Sequence, residues 1–225
     1  MKRIIFGLLV FGLISGRAGL VQAAPITSLF NTGVDAAGVG LPDGTIGDPH
    51  YSLVAVAGGT TDIRVRTVVG GYPIGPYFTG GTSSAWIGPN NDSQIDGPVG
   101  NYDYRTTFSL AGFNASTAAI SGGWSTDNNG VSILLNGVDT GNAGTSFSQF
   151  ASGFASFSVN SGFVSGLNTL DFIVFNGGGP TSLRVEMAGT AALAAIPEPE
   201  TYAMLLAGLG LLGFAARRRK QKEAA

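Results

Sequence analysis

Alternation of large inward side chains with small or polar ones, cut into short runs by glycine, is the feature that most limits what this chain can fold into. In residues 102–110, Tyr102, Tyr104, Thr106 and Phe108 fall on one side, and Asp103, Arg105 and Thr107 on the other. A two-residue period of this kind belongs to a strand with one buried face. Residues 118–124 continue it, Val131, Ile133 and Leu135 repeat it, and residues 170–175 and 182–187 add two further runs. Thirty-six of the 225 residues are glycine, about twice the usual share of roughly 7%. Most of them lie outside the runs, and they form no single tract. Asn136-Gly137 is the strongest turn, because both residues tolerate the positive φ of a tight hairpin. Residues 51–57 and 62–69 are also β-rich, and Gly58-Gly59 between them predicts a second hairpin with Arg64 and Arg66 facing out. No run between the N-terminal segment and Tyr202 has a helical period. The expectation is an all-β domain, most simply a sandwich of two antiparallel sheets.

The two ends break this pattern. Residues 1–23 read as a secretory signal peptide: Lys2 and Arg3, an apolar stretch over 4–14, and small residues at Val21 and Ala23 before the expected cut after Ala23. Residues 196–225 have three parts in order. Pro197, Glu198 and Pro199 cannot continue a helix. Residues 202–216 carry no charge, and residues 217–222 hold Arg217, Arg218, Arg219, Lys220 and Lys222. Fifteen uncharged residues at about 1.5 Å each span roughly 22 Å, short of the roughly 30 Å hydrocarbon core of a bilayer. Tyr202 at one interface and snorkelling arginines at the other make up part of the deficit. The order resembles the PEP-CTERM sorting signal of exopolysaccharide-producing Gram-negative bacteria. The resemblance implies export, transient arrest in the inner membrane by a C-terminal transmembrane helix, and cleavage near Pro197-Glu198-Pro199 by an exosortase-type transpeptidase. The product would then stand at the cell surface or outside the cell. The expected organisation is a signal peptide over 1–23, removed by signal peptidase, a β-sandwich domain over 24–195, and the sorting signal over 196–225.

Charge narrows the function of the central segment. Residues 24–195 contain four arginines and no lysine against eleven acids, a net of −7. Nucleic acid needs basic residues for its phosphates, so that class of partner is excluded. The chain has no cysteine, hence no disulfide and no thiolate metal site. His50 is the only histidine and no Gly-x-Ser-x-Gly elbow occurs, so Ser-His and Cys-His catalysis lack their parts. A pair of carboxylates could cleave a glycosidic bond, but nothing among eleven acids marks a pair. The chain reads as non-catalytic and needs no cofactor.

From Trp86 onward a second resemblance appears. Trp86-Ile87, the run from Asn101 to Phe108, Trp124-Ser125-Thr126-Asp127-Asn128, Ile133-Leu134-Leu135-Asn136-Gly137 and Gly166-Leu167-Asn168-Thr169-Leu170-Asp171-Phe172 follow one another. This order is similar to the galactose-binding-like jelly roll of many carbohydrate-binding modules and adhesive domains. It implies a jelly roll, and it makes a sugar-binding face worth seeking. Sugar rings stack on exposed aromatics beside polar groups, so the candidates are Trp86, Trp124, Tyr72, Tyr77, Asn91 and Asp92. The alternative for each tryptophan is core or rim packing, and for the loop residues an ordinary polar loop. Asp127 and Asn128 could offer oxygen ligands to a structural calcium of the sort such jelly rolls carry, or simply form a turn. The functional expectation is an exported surface or matrix protein associated with exopolysaccharide. A structural or adhesive matrix protein acting through protein contacts is the alternative.

Overall fold

A computed structural model describes residues 22–42, 44–56, 63–66, 77–78, 82–89, 97–195 and 199–223. The elements in order are β1 (Ala23–Pro25), β2 (Tyr51–Val56), β3 (Arg64–Arg66), β4 (Trp86–Gly88), β5 (Gly100–Ser109), β6 (Phe113–Asp127), β7 (Asn129–Leu135) and β8 (Val138–Asp139). Then follow α1 (Gln149–Ser152), β9 (Ala155–Val159), β10 (Leu167–Asn176), β11 (Ser182–Leu193) and α2 (Pro199–Glu223). They form two antiparallel sheets. One runs β3-β4-β11-β6-β9, with β1 also on β11, and the other runs β2-β5-β10-β7-β8.

The order of connection is that of a jelly roll. From β4 the chain alternates sheets through β5, β6 and β7, turns back at the β7–β8 hairpin, and alternates again through β9, β10 and β11. The returning strands insert between the outgoing ones, β10 between β5 and β7, and β11 between β4 and β6. Two interlocked Greek keys of this kind leave few open edges. The hairpin turn has the expected chemistry: Asn136 has φ 53° and Gly137 has φ 79°. The Asn136 side chain also ties the turn to β10, accepting from Thr169 N at 3.0 Å and donating to Asn168 Oδ1 at 2.9 Å.

The core lies between the sheets. β5 contributes Tyr102, Tyr104, Thr106 and Phe108, β10 contributes Leu170, Phe172 and Val174, and β7 contributes Ile133 and Leu135. The opposite sheet answers with Ile120, Trp124, Phe157, Leu183 and Val185. Phe172 sits between Trp124 and Phe157, with ring centroids 5.9 and 5.7 Å away. Gly130 makes room for this, since a Cβ there would stand 2.4 Å from the Trp124 ring.

One expected hairpin is corrected. β2 pairs with β5 in the five-stranded sheet, whereas β3 pairs with β4 in the six-stranded sheet. The two runs therefore diverge into different layers instead of pairing with each other. Thr32, on the chain after β1, bridges β4 and β11, with its N donating to Val185 O and its O accepting from Ala85 N. Thr32 acts there as an extra rung: its Oγ1 donates to Ala85 O at 2.7 Å and accepts from Val185 N at 3.0 Å.

Candidate functional site

Of the residues expected to stack on sugar, the three that the structure describes are buried. Trp86 and Trp124 are both 0% exposed and Tyr77 is 8% exposed. Tyr72, Asn91 and Asp92 lie outside the described residues. Trp124 is an inward residue of β6 and fills the main core. Trp86 faces the outer side of the six-stranded sheet, where it lies under Tyr77 and Phe78, at 4.9 and 5.4 Å between ring centroids. Phe150 and Phe154 extend this second cluster. Arg184 of β11 is buried within it, its guanidinium 4.9 Å from the Phe78 ring and 5.2 Å from that of Phe154. Its Nε donates to Ser84 Oγ at 2.7 Å and its terminal nitrogen to Glu186 Oε1 at 3.2 Å. Burial lowers the Arg184 pKa, and the Glu186 charge opposes that shift. The platform reading of Trp86, Trp124 and Tyr77 gives way to packing, because an indole with no exposed face has nothing to offer a sugar ring.

The oxygens of Asp127 and Asn128, the expected calcium ligands, have protein partners. The Tyr77 hydroxyl donates to Asp127 Oδ2, and Asn128 Nδ2 donates to Asp127 Oδ1. Asn128 Oδ1 accepts from Gly177 N at 2.6 Å. Every side-chain oxygen of the pair is thus engaged by a protein donor, and among the described residues no group of three acidic or histidine side chains converges for a cation. Burial pushes the Asp127 carboxyl up to about 6, with the Tyr77 and Asn128 hydrogen bonds holding it down in part. His50 has a packing role as well, stacked on Phe30 with centroids 3.6 Å apart.

A cluster that residue patterns did not single out lies on the outer face of the five-stranded sheet. Registers place Ser52, Arg105, Asp171 and Leu134 in one row across β2, β5, β10 and β7. The next row holds Ala55, Asp103, Ile173 and Ser132, and beyond it stand Asn101, Phe175 and Asn129. Arg105 grips Asp171 in bidentate fashion, Nε to Oδ1 at 2.6 Å and a terminal nitrogen to Oδ2 at 2.9 Å. Asp171 is 1% exposed although it faces outward. Asp103 has one oxygen, Oδ1, that is shielded and has no hydrogen-bond partner. Burial and the neighbouring Asp171 charge push its carboxyl up to about 6, against the pull of Arg105. Alternation alone put Asp103 and Arg105 on this face; what it could not supply was the register bringing Asp171 opposite Arg105.

The tail leaves the sandwich abruptly. β11 ends at Leu193, and Ala194 N still donates to Gly112 O at 2.9 Å. Pro199 opens α2, where its missing N–H costs nothing. Pro197 and Glu198 lie outside the described residues. The apolar side chains of α2, among them Leu205, Leu206, Leu211, Leu212 and Phe214, are exposed, and so are Arg217, Arg218, Arg219 and Lys220. No described helix is long and apolar enough to cross a membrane. The expectation of a transmembrane helix is corrected to that extent: α2 is 25 residues long, but its charge-free stretch stops before Arg217. The family described as PEP-CTERM protein-sorting motif matches residues 195–220. This tail is a PEP-CTERM sorting motif.

The motif implies export and processing by an exosortase. No curated protein matches the chain. A solved structure described as CBM35 from Paenibacillus barcinonensis is similar at a TM-score of 0.35 and 16% identity, over 64% of this chain and 97% of that one. At that level the jelly-roll assignment rests on the strand order alone. The PEP-CTERM tail and the N-terminal strand are neighbours, since β1 pairs with β11 in the register Ala23↔Ala192, Ala24↔Ala191 and Pro25↔Thr190. The chain enters β1 at the same end of the sheet at which it leaves β11.

Proposed function

We propose that this chain is an exported, exosortase-sorted surface or matrix protein whose jelly-roll body associates with exopolysaccharide and performs no catalysis. The observation that carries the reading is the PEP-CTERM motif at 195–220, which begins two residues after the last strand of a single sandwich. Signal peptidase would cut after Ala23, leaving Ala24 and Pro25 on β11. The inner membrane would hold the precursor through α2, with Arg217, Arg218, Arg219 and Lys220 at the cytoplasmic side. Snorkelling of those long side chains would offset the shortness of the apolar stretch. Exosortase would then cut near Pro197-Glu198-Pro199 and release the body to the cell surface or beyond.

The non-catalytic reading has its own support. The acid pair Asp103 and Asp171 lies on a sheet face over which no described element packs, and both Asp171 oxygens are held by Arg105. No water-excluding cleft is offered there. An adhesive role through protein contacts is favoured by one observation, the exposed Val54, Val131 and Phe175 on the same sheet.

Replacing Glu198 by alanine in the producing cell tests the sorting step. The expected outcome is a membrane-held form retaining the full tail. Release at the normal mature mass would contradict it.

A further inference from the structure

We propose that Arg105, Asp103 and Asp171, together with Ile173 and Phe175, form a binding site for an uncharged glycan that presents neighbouring hydroxyl groups. The proposal rests on the reading that the body associates with glycan, and it names the place and the ligand class. The patch is built on two adjacent strands. Asp103 and Arg105 stand two residues apart on β5, and Ile173 and Asp171 stand opposite them on β10. Phe175 continues the outer face of β10 and is 38% exposed. From Asp171 to Phe175 is four residues, which at about 3.4 Å each gives roughly 14 Å, a length suited to a short oligosaccharide.

The donor and acceptor pattern selects hydroxyls. The bidentate hold of Asp171 consumes two of the five guanidinium N–H groups of Arg105 and fixes its plane. The remaining N–H groups need an acceptor, and Arg105 keeps 36% of its side chain exposed. Asp103 needs a donor: Oδ1 has none, and the side chain is only half-buried on this outer face. A hydroxyl both donates and accepts, so two adjacent hydroxyls satisfy Arg105 and Asp103 at once. Ile173 and Phe175 give apolar surface for the C–H face of the next ring.

Charge selects against anionic sugars. One arginine and two aspartates leave the patch at −1, and the arginine is already neutralised by Asp171. The segment around it has a net charge of −7 and no lysine. Uronic acids and sulfated sugars would meet repulsion without a compensating cation.

The test is affinity electrophoresis of the full chain in mild detergent. The gels carry a galactomannan, a β-glucan, a dextran, alginate as the acidic control, or the producer's own exopolysaccharide. The variants are Asp103→Asn, Phe175→Ala and Arg105→Lys, each first shown by circular dichroism and thermal melting to retain the fold. The expected result is retardation by at least one neutral polysaccharide and none by alginate, with affinity falling at least tenfold in Asp103→Asn and in Phe175→Ala. Undiminished retardation of folded Asp103→Asn and Phe175→Ala would overturn the site while leaving the glycan reading standing. Retardation by alginate alone would overturn the neutral ligand class. No retardation in any gel, the producer's polysaccharide included, would overturn both the site and the association. Should Phe175→Ala in that case also weaken retention at the cell surface, the face would belong to a protein contact.

Discussion

Trp124 shows how a single side chain decides between two roles. Its indole is fully buried against Phe172, and Gly130 is needed beside it. Trp124→Ala removes that bulk from a packed core and is expected to cost about 3–5 kcal/mol of stability. Trp124→Phe should cost less, in part because the buried indole N–H has no partner to lose. Glycan retardation of folded Trp124→Phe should equal that of the parent; a selective loss would restore the platform reading. Asp127 gives a second residue-level expectation. Its carboxyl titrates at about 6 in the folded chain against an ordinary 3.8. The folded state therefore holds the proton more tightly, so the stabilisation is complete below about pH 4 and is lost as pH rises through about 6. Thermal melts of Asp127→Asn should start lower at pH 4, where one hydrogen bond to Asn128 is lost, and fall less by pH 7. Parallel curves for parent and variant would contradict this account.

At the scale of elements, the strands were legible where one face is buried and the other wet. Tyr102, Tyr104, Thr106 and Phe108 point inward as their alternation requires, and Asn136-Gly137 turns β7 into β8. Asn168, second residue of β10, ties the strand to the preceding loop, with Nδ2 donating to Val164 O and Gly166 O. Pairing was less legible. β2 and β3 are close in sequence, yet β2 is fixed by cross-strand partners on β5, and β3 by partners on β4. Such partners lie far away in the chain and leave no local signal. The same limit hid the Arg105–Asp171 pair, since an aspartate between Leu170 and Phe172 reads as an isolated outward residue until the register is known. For Trp86 the sequence left platform and packing both open, for a related reason. Its partners Tyr77, Phe78 and Phe150, which pack with it as a second small core, lie outside its own short strand.

For the molecule as a whole, the termini matter most. A jelly roll brings its first and last strands side by side, and here β1 and the end of β11 form a ladder. The start of β1 and the sorting motif therefore join the body at one end. Only residues 195–198 separate Ala194, hydrogen-bonded to Gly112, from Pro199 at the start of α2. Four residues reach at most roughly 14 Å, so the cleavage region stays close to the folded body. On this account the sandwich is cargo delivered by its two ends, and its surface does its work only after both have been cut. The most direct measurement is the intact mass, with both terminal sequences, of the protein recovered outside producing cells. The account predicts one species beginning at Ala24 and ending near Pro197-Glu198-Pro199, without Arg217, Arg218, Arg219 or Lys220. An extracellular species that keeps α2 and its basic cluster would contradict it.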